Sequence, residues 1–98
     1  RVEIIALLQS IGRAGVLTTV YFDAHAGFAV TALLSVNPEF EEVVFDAAQD
    51  EVTQRRLLAA ESLTFVAFVD QIKIQFSARR AQATQFDARP ALRVRLPE

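Results

Sequence analysis

The first part of the chain has the spacing of an amphipathic helix. Large apolar residues recur there at helical intervals: Ile4, Ile5, Leu8 and Ile11. Polar residues such as Glu3 and Gln9 fall elsewhere on the helical wheel, and Gly12 and Gly15 follow as stop signals. The pattern therefore predicts one short helix over residues 1–13.

After Gly15 the period changes from helical to two. Residues 16–23 alternate between two faces and are rich in β-branched and aromatic side chains, which is typical of a strand. Residues 24–27 can turn the chain, and residues 28–36 are again strand-like until Asn37-Pro38 interrupts them. The in-phase apolar positions of this second strand are Phe28, Val30, Leu34 and Val36. The two segments together predict a hairpin.

The middle of the chain predicts a strand, a helix and another strand. Residues 43–46 are a short apolar run, and Asp50 is a suitable N-cap for a brief helix that extends to Ala60. Residues 63–69 are apolar at almost every position, which predicts a strand buried on both faces. Asp70-Gln71 is then expected to turn the chain.

The last third of the chain predicts two further strands. Ile72, Ile74, Phe76 and Ala78 are expected to point inward. Small apolar residues resume at odd positions after Arg79-Arg80, and this change of phase predicts a bulge in one long strand. Residues 87–90 predict a turn. The final strand places Arg93 and Arg95 opposite an apolar face, and Pro97 is expected to end its pairing. That apolar face comprises Leu92, Val94 and Leu96.

These elements amount to about six strands, an N-terminal helix and a short helix between strands. Because short turns join most of the strands, the sequence predicts a mainly β protein with an antiparallel, closed or partly open barrel. A chain of 98 residues is the usual size of one domain.

Composition excludes several kinds of chemistry. With no Cys and one His, the chain cannot supply a structural zinc site, a disulfide framework or a thiol nucleophile. Its three glycines match neither the dinucleotide fingerprint nor the P-loop. No apolar stretch approaches the length of a membrane span, so we expect a soluble domain. The absence of Met indicates a trimmed or excised chain, and no secretory leader is visible.

The net charge of −2 conceals an uneven distribution. Residues 1–71 carry four basic and ten acidic residues, whereas residues 72–98 carry six basic and two acidic ones. Six of the acids fall between Glu39 and Glu51 with no basic residue among them. Solvated surface is the simpler interpretation of both regions, and a docking or ligand-facing surface is the alternative. Nucleic-acid binding is disfavoured because the chain is net acidic and most of its eight Phe fall at core positions.

The titratable candidates carry no specific catalytic signal. His25 lies in a turn-like segment, and an exposed turn His is the expected interpretation. The carboxylate pairs Asp46 with Asp50 and Glu41 with Glu42 are of a kind that is common on surfaces. We assign catalysis to none of them.

Arginine pairs are the other candidates, because the guanidinium fork matches phosphate oxygens. Arg55-Arg56 and Arg79-Arg80 are adjacent pairs that can also be ordinary surface residues. The segment from Arg89 to Arg93 has the literal form R-x-x-x-R. Since Pro90 is expected in a turn and Arg93 in an alternating strand, we interpret this match as coincidental.

Several segments taken together resemble one known module. They are GVLTTVYFD (15–23), TALLSV (31–36), RLLAAE (56–61), LTFVAFVD (63–70), KIQFS (73–77) and residues 90–98. The ensemble resembles the N-terminal domain of the YcgR-type flagellar brake family, which precedes a PilZ domain. The resemblance covers nearly the whole chain, but its motifs are mostly core patterning.

The resemblance implies that the six predicted strands form a split β-barrel, similar to flavin-reductase-like barrels, in a cytoplasmic regulator at the flagellum basal body. That regulator binds cyclic di-GMP and slows the motor; it is not an enzyme. The family holds its ligand chiefly through an R-x-x-x-R segment at the domain junction and a [D/N]-x-S-x-x-G motif in the PilZ half. Neither can be carried over, since Arg89 and Arg93 precede the junction and the second motif is absent.

The expected partners are a PilZ domain after residue 98 and flagellar motor or basal-body proteins. No cofactor is expected in this domain, and cyclic di-GMP is expected for the full-length protein. We hypothesise that the basic C-terminal region, Arg79, Arg80, Arg93 and Arg95, lies toward the junction. A flavin-binding split-barrel enzyme and a ligand-independent interaction barrel are the alternatives, and the oligomeric state stays open.

Overall fold

The computed structural model describes residues 2–96, so the roles predicted for Arg1 and Pro97 lie outside the described residues. The elements in chain order are α1 (Val2–Ala14), β1 (Leu17–Phe22), β2 (Gly27–Asn37), β3 (Glu42–Asp46), α2 (Glu51–Ala59), β4 (Ser62–Val69), β5 (Ile72–Arg79), β6 (Gln82–Phe86) and β7 (Arg89–Arg95). The predicted mainly β class, both helices and the Asp50 N-cap are confirmed. The predicted count of six strands is wrong, because the described residues form seven.

All strand pairs are antiparallel, and the strand order is β5-β4-β1-β2-β3-β7-β6. Although β5 and β6 lie at opposite ends of this order, only Arg80 and Ala81 separate them in sequence. The sheet must therefore curl until its two edges come together. Within residues 2–96 no ladder joins β5 to β6, so the architecture is an open barrel and not a closed one.

The predicted bulge at Arg79-Arg80 is instead a break between two strands. Arg80 leaves the extended region, with φ 27°, and its backbone N–H donates to the Glu61 carbonyl at 3.1 Å. Before the break the chain pairs with β4, and after it the chain pairs with β7. The phase change in the sequence thus marks an exchange of partners and not an inserted residue.

A register shift does occur in β2, between Leu33 and Ser35. Residues Gly27–Ala32 pair with β1, and residues Leu33–Asn37 pair with β3. The long β2 therefore connects the two halves of the barrel. Ala29 and Leu33 pack against the core before the shift and Val36 packs against it after the shift, so the predicted common phase of residues 28–36 is wrong. Phe28 and Val30 lie on the other face and are more than half exposed.

Three stacked phenylalanine rings cross the barrel interior. The Phe65 ring lies 4.5 Å from that of Phe45 and 4.9 Å from that of Phe76, measured between centroids. Phe65 and Phe76 are paired residues of β4 and β5, whereas Phe45 belongs to β3 on the other half of the sheet. Leu8 and Ile11 of α1 are fully buried in the same core. The ring stack thus connects β3 with β4 and β5, although β3 is not paired with either strand in the sheet.

Two predicted burial assignments are wrong. Residues 63–69 were expected to be buried on both faces, yet Phe68 is 59% exposed because only one face of β4 meets the core. Ile72 was expected to point inward, yet it is 64% exposed at the start of β5.

Two of the hairpin turns, β4–β5 and β6–β7, each use two consecutive residues with positive φ. Asp70 and Gln71 join β4 to β5 as predicted, with φ of 51° and 66°. Asp87 and Ala88 join β6 to β7 in the same conformation, with φ of 50° and 65°. Such turns match the right-handed twist of the flanking strands. The second turn is shorter than predicted, because Pro90 lies within β7 opposite Gln85.

Candidate functional site: a basic groove

The fold brings together the four arginines assigned to the junction. Arg79 ends β5, Arg80 follows it, and Arg93 and Arg95 lie on β7. They share a surface groove of about 560 Å³, which we call the basic groove. Its lining residues are Phe40, Glu41, Glu42, Arg79, Arg80, Gln82, Arg93, Val94 and Arg95. The open side of the barrel, where β5 leads into β6, thus places two separate arginine pairs at one site.

Acidic neighbours contact Arg93 and Arg95, the two β7 arginines that line the basic groove. The Arg93 Nε lies 3.6 Å from a Glu42 carboxylate oxygen, and its Nη2 donates to the Gln82 side-chain carbonyl. The Arg95 Nη2 lies 4.0 Å from a Glu41 carboxylate oxygen. Arg93 and Arg95 point outward, because they alternate along β7 with Leu92 and Val94, whose side chains are buried. Their charges are therefore partly offset within the groove.

Arg79 and Arg80 have no such counterion. Among residues 2–96, no carboxylate lies within ion-pair distance of either guanidinium, and both side chains are exposed. Guanidinium groups bind phosphate oxygens through two parallel N–H donors. This pair can thus take an anion without first breaking an internal ion pair.

The described chain ends beside the basic groove. The Leu96 backbone N–H donates to the Glu41 carbonyl at 2.8 Å, and the Leu96 side chain is buried. Glu41 also lines the groove. Leu96 is therefore held at the surface that contains the basic groove.

The other candidates are dispersed. His25 is exposed in the β1–β2 loop, as predicted, with its ring centroid 5.3 Å from that of Tyr21. Arg56 donates to Asp23 at 2.8 Å and covers the Phe22 ring at 5.1 Å, so its guanidinium already has partners within the domain. Within residues 2–96 no three His, Asp or Glu side chains are grouped to hold a metal ion.

The two arginines of the R-x-x-x-R segment lie near different acidic residues. Arg89 Nη1 lies 4.0 Å from the Asp46 carboxylate, and Arg93 approaches Glu42 at the opposite end of β3. The two arginines therefore pair with different ends of a neighbouring strand, which agrees with the interpretation of this spacing as coincidental. Pro90, expected in a turn, is a strand residue.

The matching family model, "Flagellar regulator YcgR, PilZN domain", covers residues 1–98. The chain belongs to this family. The PilZN domain is 32% identical over 94 residues to the flagellar brake protein YcgR of Nitrosospira multiformis, covering 96% of this chain and 36% of that protein. It is 33% identical over 96 residues to the YcgR of Chromobacterium violaceum, covering 98% of this chain and 39% of that protein. It therefore spans little more than a third of these curated relatives.

The fold of the PilZN domain is also similar to a solved structure. The crystal structure of the YcgR-N domain of Escherichia coli YcgR superimposes with a TM-score of 0.90 at 19% identity, over 98% of this chain and 84% of that one. The fold of the chain thus agrees with that of YcgR-N, and the predicted family is confirmed by the family model. Neither helix within residues 2–96 has the length and apolar character that a membrane span requires.

The sequence did not reveal that Glu41, Glu42 and Gln82 belong to the basic groove of the PilZN domain. Their proximity to Arg93 and Arg95 comes from the pairing of β3 and β6 with β7. The acidic run was visible as a charge pattern, but its partners lie some fifty residues away along the chain. A cross-strand alignment of β3 with β7 is the signal that locates them.

Proposed function

We propose that this PilZN domain is the regulatory N-terminal domain of a cyclic di-GMP effector that controls flagellar motor activity and motility. Its curated relatives are named flagellar brake proteins. A crystal structure of Escherichia coli YcgR in complex with c-di-GMP contains the same fold, with a TM-score of 0.91 at 19% identity over 98% of this chain and 41% of that one. In this proposal a PilZ domain follows residue 98, and the ligand binds mainly at the junction between the two domains.

The basic groove forms this domain's side of the proposed junction. One observation carries this assignment: four arginines and the last described residue, Leu96, lie at the same surface. The two phosphates of the dinucleotide would approach a junction where the positive charges of Arg79 and Arg80 have no carboxylate partner among the described residues. Arg79 and Arg80 are the residues that meet it, since Glu42 and Glu41 already engage Arg93 and Arg95.

The proposed mechanism is a population shift between arrangements of the two domains. Ligand bound at the junction favours the arrangement in which the basic groove closes against it, because the anion interacts with both domains only there. That change exposes or hides a surface for flagellar motor or basal-body proteins. The proposed site of action is the cytoplasmic side of the flagellum basal body.

Calorimetric titration of the full-length protein with cyclic di-GMP tests this proposal. The charge reversals Arg79→Glu and Arg80→Glu, combined, should weaken binding by at least about tenfold, because a lost charge-assisted hydrogen bond costs about 1.5–3 kcal/mol. Arg55→Glu is the matched control, since Arg55 is an exposed arginine on α2 outside the basic groove. It should leave the affinity unchanged.

Three outcomes would contradict parts of the proposal. Unchanged affinity in the Arg79 and Arg80 variant would remove the basic groove from the ligand site. Tight binding of cyclic di-GMP by this domain alone would place the site within it and not at a junction. If the full-length protein bound motor components equally with and without cyclic di-GMP, a ligand-independent interaction barrel would be the better description.

A further inference from the structure

The second groove of the domain runs along an unpaired strand edge. In the described part of the chain, β2 pairs with β3 only over Leu33–Asn37, so no strand covers residues 27–31 on that side. A groove of about 440 Å³, which we call the edge groove, lies there. Residues of β2 line one side of it, and Asp46 and Asp50 are among the residues that line the other.

The lining residues show that this groove follows the backbone edge. Side chains on one face of β2, such as Phe28 and Val30, alternate with those on the other, such as Ala29 and Thr31, and both sets line it. A groove that lay over one sheet face would contact only every second residue. The opposite wall is the β3–α2 loop, which the Thr31 hydroxyl anchors by donating to the Asp46 carbonyl at 2.6 Å.

This edge lacks the usual protection against strand addition. Proteins commonly protect exposed edges with charged residues, especially lysine, or with proline, because unpaired N–H and C=O groups otherwise template another strand. β5, at the end of the strand order, carries Lys73 and Arg79. Residues 27–32 include neither a charge nor a proline, and Phe28 and Val30 are 64% and 52% exposed.

The side chains around the edge groove define the chemistry of its occupant. Leu17, Phe28 and Val30 make the apolar wall. The only charged lining residues among those described are Asp46 and Asp50, so the groove has net negative charge. Both carboxylates are fixed in place: Asp46 accepts from Ala47 N–H and lies 4.0 Å from Arg89, and Asp50 accepts from Thr53.

From this combination we propose that residues 27–31 of β2 are a β-augmentation site for an extended segment of a partner protein, apolar at alternate positions and basic between them. The backbone edge supplies main-chain hydrogen bonds, and the apolar wall receives every second side chain. The fixed carboxylates select cationic residues. The edge groove and the basic groove lie at opposite ends of β3, so this inference does not depend on cyclic di-GMP.

The probe is a fluorescently labelled octapeptide of alternating valine and lysine. Its binding to this chain is measured by fluorescence anisotropy. We expect saturable binding, with protection of the residue 27–31 amides from hydrogen exchange. Val30→Lys should weaken binding about tenfold through charge repulsion and loss of an apolar contact. Phe68→Lys is the control, because Phe68 is also more than half exposed, at 59%, but lies on β4 away from the edge groove.

Two modified peptides keep the test informative even where a variant is poorly folded. A peptide with glutamate in place of lysine, and one N-methylated at every residue so that neither edge can donate, should both fail to bind. The proposal would be overturned if either modified peptide bound as tightly as the original, or if the original peptide did not bind at all. It would also be overturned if Val30→Lys and Phe68→Lys weakened binding of the original peptide equally. Self-association of the chain that Val30→Lys abolishes would overturn it as well, since a second copy would then occupy the edge.

Discussion

Thr18 and Thr31 face each other across β1 and β2, but only one of their hydroxyl groups has a hydrogen-bond partner. The Thr31 Oγ1 donates to the Asp46 carbonyl at 2.6 Å, whereas the fully buried Thr18 Oγ1 has no partner among the described residues. A buried hydroxyl loses its hydrogen bonds to water on folding, so these two neighbours contribute to stability with opposite signs.

Replacing each threonine by valine should separate these effects. Thr18→Val removes an unsatisfied hydroxyl at nearly constant shape and should raise the free energy of unfolding by about 1 kcal/mol. Thr31→Val removes a made hydrogen bond and should lower it by about 1 kcal/mol. Urea denaturation of the two variants measures both values. Destabilisation by Thr18→Val would show that its hydroxyl is satisfied in solution.

The phenylalanine stack should dominate the stability of the barrel. Phe65→Ala removes the central ring and should cost about 3–5 kcal/mol, which is a large part of the stability of a small domain. Phe65→Leu fills much of the space but loses the ring stacking, and should cost less while leaving a folded protein to measure. Phe68→Ala, on the same strand with a 59% exposed ring, is the control and should have a much smaller effect. Similar losses for Phe65→Ala and Phe68→Ala would contradict this view of the core.

Gly27 is required because the Phe22 ring lies against its backbone. The two residues are paired at the end of the β1–β2 hairpin, and a Cβ on Gly27 would lie 2.4 Å from the Phe22 Cε2. Gly27→Ala should therefore cost about 1–3 kcal/mol of unfolding free energy through overpacking. In a Phe22→Leu background the same substitution should cost less, because the ring that creates the clash is gone. Equal costs in both backgrounds would assign the effect to the backbone and not to the ring.

The N-cap of α2 should give a pH-dependent contribution to stability. Hydrogen bonds from the Thr53 side chain and then from its backbone N–H lower the pKa of Asp50 below its usual 3.8. A lowered folded-state pKa contributes stability above the unfolded value, and this contribution is lost as pH falls through the folded value. Asp50→Asn should thus lower the melting temperature at pH 7, with a difference that shrinks below the usual pKa of 3.8. Thermal unfolding from neutral to acidic pH checks this, and a constant difference would contradict it.

Local patterns in the sequence determined most of the secondary structure. Alternation along β1, β5 and β7, the polar pair Asp70-Gln71 and the cap at Asp50 each depend on residues within a few positions of one another. The family resemblance also depended on this ensemble of core positions, and the family model covers the same residues. For these features the physical cause is short-range, so the order of residues is sufficient.

Only the tertiary structure decided how the strands close and which side chains meet. The phase change after Arg79 was visible, but whether it was a bulge or a break depended on Arg80 leaving β4 and the next strand joining β7. The change of phase within β2 likewise depends on the point at which β2 exchanges β1 for β3. Strand exchange is set by non-local pairing and by closure of the barrel, which a pattern of period two does not encode. For the same reason, both the basic groove and the edge groove emerged only when distant segments were placed side by side.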